Sequence, residues 1–189
     1  MALKTLVKVG SITNLSDARY CAGMGVDFLG FRVVPDQANV MAPKTFQEIR
    51  GWITGPQIVA ELYGVRDRQQ LESILVEFQP DFLEFSLEEW EFLAPAPPLP
   101  FLLSIKPSDE LPANMPKPAY LIVNAPDDSF SRFLPQHEIL AAVASKIKLD
   151  ESLTLTGVVG VCLTGGYEIR PGLKAEDELP EILEALEID

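Results

Sequence analysis

Two groups of residues in this chain have types and spacings that can do chemistry. The first is Gly160-Val161-Cys162-Leu163-Thr164-Gly165-Gly166, followed after a few residues by Pro171-Gly172-Leu173-Lys174. Val158, Val159, Val161 and Leu163 form a short, mostly β-branched run that stops at a Gly-Gly pair, the pattern of a buried strand ending in a tight turn. Glycines at that point let backbone N–H groups approach an anion with no Cβ in the way, although the same pair serves equally well as an ordinary turn. The second group is a set of charged residues embedded in apolar runs: Lys8, Arg32, Glu61, Glu84 and Lys106. Counted back from the ends of those runs in steps of two, all five can point to one side, with Tyr63, Ser86 and Asn124 beside them. Buried charges need partners. The set therefore makes either a satisfied ion-pair network or the polar floor of a ligand pocket, with Glu61 or Glu84 as an acid/base. A slip of one residue in register would instead put some of them outside.

These residues have to be carried by regular elements. Leu6 to Val9 reads as a strand ending at Gly10-Ser11. A helix follows from Leu15 to Gly23, capped by Thr13 or Asn14, with Asp17 in the first turn where the helix dipole favours a carboxylate. Gly25 ends it, and Phe28 to Val34 is a second strand. Pro43 opens a helix reaching about Ile53, Gln57 to Tyr63 is the third strand, and Asp67 to Phe78 is the next helix. Phe82 to Ser86 is strand four, with a helical turn around Glu88 to Leu93 and a stiff Pro-rich connector from Ala94 to Pro98. Leu102 to Lys106 is strand five, and Pro107 to Pro118 reads as a loop. Tyr120 to Asn124 is strand six, Gln136 to Ser145 has a helical pattern, Ile147 to Leu149 reads as strand seven and Val158 to Leu163 as strand eight. Only about a dozen residues separate the last two strands, near the minimum for a parallel crossover, so a helix is expected to be missing there. Glu176 to Ile188 closes the chain as a helix.

Strands alternating with helices imply parallel βαβ units. Seven or eight of them in 189 residues predict an α/β fold, a trimmed (β/α)8 TIM barrel forming a single domain over 1–189; an open doubly wound sheet is the alternative. In both, ligands sit at the C-terminal ends of the strands. Composition narrows the function classes. A net charge of −13 disfavours nucleic acid and anionic membranes as partners, and no apolar run approaches the roughly 20 residues of a membrane span. The first residues run into a strand without an apolar leader segment, which reads as cytoplasmic. The two cysteines, Cys21 and Cys162, and the single histidine, His137, form no Cys/His cluster, so neither a metal site nor a disulfide framework is expected. His137 reads as a surface residue.

Two stretches resemble phosphoribosylanthranilate isomerase of tryptophan biosynthesis. Lys8-Val9-Gly10-Ser11-Ile12-Thr13, running on to Gly25-Val26-Asp27-Phe28-Leu29-Gly30-Phe31, is similar to the family's Lys-Ile-Cys-Gly-Ile-Thr opening and second strand. Thr164-Gly165-Gly166-Tyr167-Glu168 with Pro171-Gly172-Leu173-Lys174 is similar to its Ser-Ser-Gly-Val-Glu and Pro-Gly-Val-Lys ending. Asp81 to Ser86 can be laid on its fourth strand. The resemblance implies an isomerase barrel with a phosphate site near strands seven and eight, of which Thr164, Gly165 and Gly166 keep the strand-eight half. It also exposes departures. The family's general base, a cysteine at the end of strand one, is Gly10 here. Its general acid, an aspartate at the end of strand six, is Asn124. The arginine that grips the anthranilate carboxylate aligns with Asn39, and the Gly-Gly turn after strand seven is not recognisable.

Ring opening and an Amadori-type rearrangement need one group to take a proton and another to give one, which glycine and an amide cannot do. The expected function is therefore a diverged isomerase-like barrel without efficient isomerase activity. It would bind a small ligand, phosphorylated or not, through Arg32, Asn39, Thr164, Gly165 and Gly166, with no cofactor and no metal. Two alternatives stand beside it: an active isomerase using altered residues, with Ser11 the nearby hydroxyl, and a pseudoenzyme scaffold whose barrel is plugged. A barrel short of a helix could also cover its exposed strand face by forming a homodimer.

Overall fold

Eight strands pair in chain order, each parallel to the next, and the eighth returns to the first, so the sheet closes on itself. The strands are β1 (Leu6–Gly10), β2 (Phe28–Arg32), β3 (Gln57–Glu61), β4 (Phe82–Ser86), β5 (Phe101–Ile105), β6 (Tyr120–Val123), β7 (Ile139–Ala142) and β8 (Val158–Thr164). Helices α1 (Leu15–Met24), α2 (Pro43–Arg50), α3 (Arg68–Phe78), α4 (Trp90–Leu93), α5 (Lys146–Leu153) and α6 (Leu179–Ala185) run on the outside, and β9 (Glu168–Arg170) and β10 (Leu173–Lys174) form a small antiparallel pair after β8. This computed structural model describes residues 2–35, 38–124, 128–165, 168–170, 173–174 and 178–188. The trimmed (β/α)8 barrel expected from the sequence is the fold observed.

Strand sequences split by alternation into two buried sets. Val7, Val9, Leu29, Phe31, Ala60, Leu83, Phe85, Leu103, Leu121 and Val161 face outward into the jacket of helices and loops, whereas Phe28, Val59, Leu102, Ile122 and Leu140 form a separate cluster inside the barrel. Both faces are covered, which is why the strands are mostly apolar rather than half polar, the exceptions being the charged residues near their C-terminal ends. Phe28, Phe82 and Tyr120, the first residues of β2, β4 and β6, meet edge-on at 5.4 and 5.6 Å and fill the N-terminal end of the barrel. That leaves the C-terminal end free for a site.

The β1–α1–β2 and β3–α3–β4 units are fixed by the same local device. Asp27, just before β2, accepts from the Val7 N–H at 2.8 Å through Oδ2 and donates its own N–H to the Val7 carbonyl. Asp81, just before β4, does the same with Ile58. Asn14 caps α1 by accepting from the Asp17 N–H, and Gly25 closes that helix in the left-handed region at φ 83, where only glycine is free of strain.

The structure corrects the reading of the seventh unit. Gln136 to Ser145, expected to be helical, contains β7, and Ile147 to Leu149, expected to be a strand, lies inside α5. Ile139, Leu140 and Ala141 are fully buried and laddered on both sides, to β6 and to β8, and those ladders outweigh the helix propensity of an Ala-rich segment. Ser145 then caps α5 by accepting from the Lys148 N–H. The missing helices therefore belong elsewhere. The β5–β6 connection carries none, and the β6–β7 connection has a 3₁₀ segment over Asp128–Phe133. The outer faces of β5 and β6 are nonetheless covered within the chain, with Leu103, Ile105, Leu121 and Val123 buried.

Candidate functional site

Register sets three charged residues side by side at the C-terminal end of the barrel: Arg32 pairs with Glu61 across β2 and β3, and Glu61 with Glu84 across β3 and β4. Two neighbouring carboxylates repel. Lys8, reaching in from β1, relieves this: its Nζ lies 2.9 Å from Glu61 Oε1 and 2.7 Å from Glu84 Oε2. All three are enclosed, at 1% exposure for Lys8 and 3% for each glutamate. The contact to Glu84 is close enough for Coulombic pairing but poorly aligned, and Oε2 has no hydrogen-bond donor.

Space for the Glu61 carboxylate comes from two glycines. A Cβ at Gly10 would lie 2.5 Å from Glu61 Oε1 and 2.6 Å from Lys8 Nζ, and one at Gly30 would lie 2.2 Å from the same oxygen. Ser11 follows at φ 53, an uncommon left-handed conformation for a residue with a Cβ. It turns the Ser11 N–H onto both Glu61 oxygens at 3.0 and 3.2 Å and its hydroxyl onto Oε2 at 3.2 Å. The Arg32 Nε donates to Ser11 Oγ at 3.0 Å and stands 4.0 Å from Glu61 Oε2. On the other side the Tyr63 hydroxyl donates to Glu84 Oε1 at 2.6 Å, and Asn124 Nδ2 donates to Ser104 Oγ at 2.9 Å.

Burial works against the charge on Lys8, but Cys162, Glu61, Glu84 and Tyr63 together outweigh it, and the ammonium is held well above the ordinary lysine value. Lys8 is thus a fixed cation rather than a nucleophile. Burial raises Glu84, with Lys8 opposing and Glu61 reinforcing the shift. Burial and then Glu84 also raise Tyr63, which stays a phenol. Cys162 is pushed up to about 12, chiefly by burial, so its thiol is inert near neutrality.

Above this floor opens a cavity of about 1080 Å³, at the upper end of the size that holds small ligands. Its walls differ in character. The β1–β5 side presents Ser11, Arg32, Glu61, Tyr63, Glu84 and Ser104, while the β6–β8 side with α5 and α6 presents the apolar Ile122, Ala142, Val143, Leu163, Leu179 and Ile182 together with Asn124, Thr164, Lys148, Glu151 and Glu178. Of the residues singled out in the sequence, Lys8, Gly10, Ser11, Arg32, Glu61, Tyr63, Glu84, Asn124, Cys162, Thr164 and Gly165 line the cavity. Asn39 is exposed and does not, Lys106 is exposed past β5, and Ser86 is bound to Glu89 instead. Gly166 lies outside the described residues. Both carboxylates therefore point inward, and the barrel is not plugged at this end.

Several lining residues were not anticipated. Ser104 was readable as an inward position on strand five. Lys148, Glu151 and Glu178 were not, because they lie on α5 and in the connection before α6, where strand alternation says nothing. Glu178 Oε2 accepts the Lys146 N–H at the start of α5 at 2.8 Å, and Lys148 pairs with Glu151 at 2.6 Å. Among the described residues no cluster of His, Cys, Asp and Glu is arranged to hold a metal ion, and no helix is long and apolar enough to cross a membrane.

No protein-family model matches the chain, and no curated protein matches it by sequence. Solved structures do match. Phosphoribosyl anthranilate isomerase from Thermus thermophilus superposes with a TM-score of 0.72 at 20% identity, covering 96% of this chain and 98% of that one. TrpF from Jonesia denitrificans gives 0.72 at 15% identity, with 96% of each chain covered. A phosphoribosyl anthranilate isomerase in complex with reduced 1-(o-carboxyphenylamino)-1-deoxyribulose 5-phosphate gives 0.69 at 16% identity, over 95% and 97%. At these identities the likeness is one of fold.

Proposed function

We propose that this barrel, built on the fold of the phosphoribosylanthranilate isomerases, binds a small molecule at the C-terminal ends of its strands and does not carry out the isomerase reaction efficiently. The observation that carries the reading is the open cavity over an ion-paired floor in which the space beside Gly10 is occupied by the ends of the Lys8 and Glu61 side chains. The isomerase resemblance puts its general base at that position, and Lys8 with Glu61 fills the space instead. Each lost acid or base removes about two to four decades of rate, and Asn124, bonded to Ser104, supplies no replacement acid. A scaffold with a plugged barrel fits the open cavity less well. The isomerase-like reading also carries the proposal of a cytoplasmic location.

The test is consumption of phosphoribosylanthranilate by the purified chain against a no-protein control. A rate equal to background is the expected result. Turnover in the ordinary enzyme range of about 1–1,000 per second would overturn the proposal and make Glu84 the first residue to examine as a new acid.

A further inference from the structure

Among the described residues, two backbone donors on the β7–β8 side of the cavity mouth are already engaged. The Gly165 N–H donates to the Gly10 carbonyl at 2.7 Å. The Lys146 N–H, at the positive end of α5, donates to the Glu178 carboxylate at 2.8 Å. Glu178 thereby holds the place an incoming anion would take, and Glu151 beside it neutralises Lys148. A phosphate dianion arriving on this side meets the Glu178 carboxylate, with Lys148 already paired to Glu151.

The opposite wall has the complementary character. Arg32 is 38% exposed at the cavity, with its Nε on Ser11 and one Nη1 donor on the Ala38 carbonyl at 3.5 Å, which leaves further donors on its outer guanidinium edge. Lys8 and Arg32 stand against Glu61 and Glu84 on the floor. Lys8 is enclosed between the two glutamates, which leaves Arg32 as the floor cation that reaches the cavity surface. Between the two walls lie apolar side chains.

We infer that the cavity takes a non-phosphorylated monocarboxylate, with its carboxyl on Arg32 and its apolar body against Ile122, Val143, Leu179 and Ile182, and that Glu178 bars phosphate from the β7–β8 side. The inference rests on the reading of the cavity as a binding site. A guanidinium meets a carboxylate through two parallel N–H donors, and the apolar wall supplies the remaining contact.

The experiment is ligand-observed NMR on the full chain with benzoate, hexanoate, inorganic phosphate and glycerol 2-phosphate, on wild type, Arg32→Gln, Glu178→Ala and Glu178→Gln. Glu178→Gln keeps an acceptor for the Lys146 N–H and removes only the charge, so it serves if the alanine variant disturbs α5. The carboxylates are expected to bind wild type, to weaken at least about tenfold in Arg32→Gln, and the phosphates to bind only the Glu178 variants. Wild type binding the phosphates more tightly than the carboxylates, or carboxylate binding indifferent to Arg32→Gln, would overturn the inference and leave the cavity reading standing. Phosphates silent toward both Glu178 variants would overturn the role given to Glu178. No binding of either class to wild type at ~10 mM, a scale too weak for any specific site, would overturn the cavity reading as well.

Discussion

Replacing Lys8 with methionine removes the cation that lies within 2.9 Å of both Glu61 and Glu84, while nearly preserving side-chain volume. Breaking a buried ion pair by deleting one partner costs about 3–5 kcal/mol, because the surviving charge is left unpaired in a poorly solvating interior. Here two carboxylates survive, side by side across β3 and β4, so the upper half of that range is expected near neutral pH. For a domain of this size each kcal/mol shifts the melting temperature by roughly 2–4 °C, which puts the loss at roughly 8–20 °C. The loss depends on pH in a definite direction. Glu84 is already raised above 4.5 by burial, and without Lys8 it rises further. The folded state then binds more protons than the unfolded one from about 4.5 upward, so stability falls as pH rises through that window and is recovered on acidification. Urea unfolding of wild type and Lys8→Met at pH 5 and pH 7.5 measures both effects, with Lys8→Met/Glu61→Gln as the compensating variant. A loss under about 1 kcal/mol at pH 7.5, or an equal loss at both pH values, would refute the argument that Lys8 is the shared counter-ion of two buried carboxylates.

Two further predictions follow from the same floor. Gly10→Cys restores the residue type of the isomerase base, but its Cβ would fall 2.5 Å from Glu61 Oε1. It is expected to destabilise by about 1–3 kcal/mol, as overpacking does, and to leave phosphoribosylanthranilate consumption at background, a paired result read by urea unfolding and the activity assay. Tyr63→Phe removes the hydroxyl bonded to Glu84 Oε1 at 2.6 Å, a bond that favours the ionised carboxylate. The Glu84 carboxyl, followed by carbon-13 NMR, is therefore expected to titrate higher in the variant, and an unchanged or lower midpoint would contradict the bonding described.

The first half of the barrel was legible in the sequence because its signals agree. Capping residues, left-handed glycines and two-residue alternation all place Lys8, Arg32, Glu61 and Glu84 on one face. Alternation could not say which charges meet. Register across β2, β3 and β4, together with the space left by Gly10 and Gly30, decides that Lys8 serves both glutamates while Arg32 stays at the rim. Around β7 the signals disagree. Leu140-Ala141-Ala142-Val143-Ala144 favours helix by propensity, and a short buried strand has no polar alternation to mark it. Only the ladders to β6 and β8 settle its state, and those are long-range. Lys106 was misplaced for a related reason: β5 ends one residue earlier, at Ile105, so the side chain that follows lies outside the barrel.

The paired bonds that Asp27 makes to Val7 and Asp81 makes to Ile58 put β1–β2 and β3–β4 in a common frame, residue against residue. In that frame Val7 corresponds to Ile58 and Phe28 to Phe82, so Gly10 corresponds to Glu61 and Gly30 to Glu84. One module carries the carboxylates and its counterpart carries the vacancies at matching positions. A chimera with the first module twice would leave Lys8 facing a hollow centre. One with the second twice would force four carboxylates into a volume shaped for two. The asymmetry between two otherwise equivalent modules is what gives this barrel a charged interior that fits.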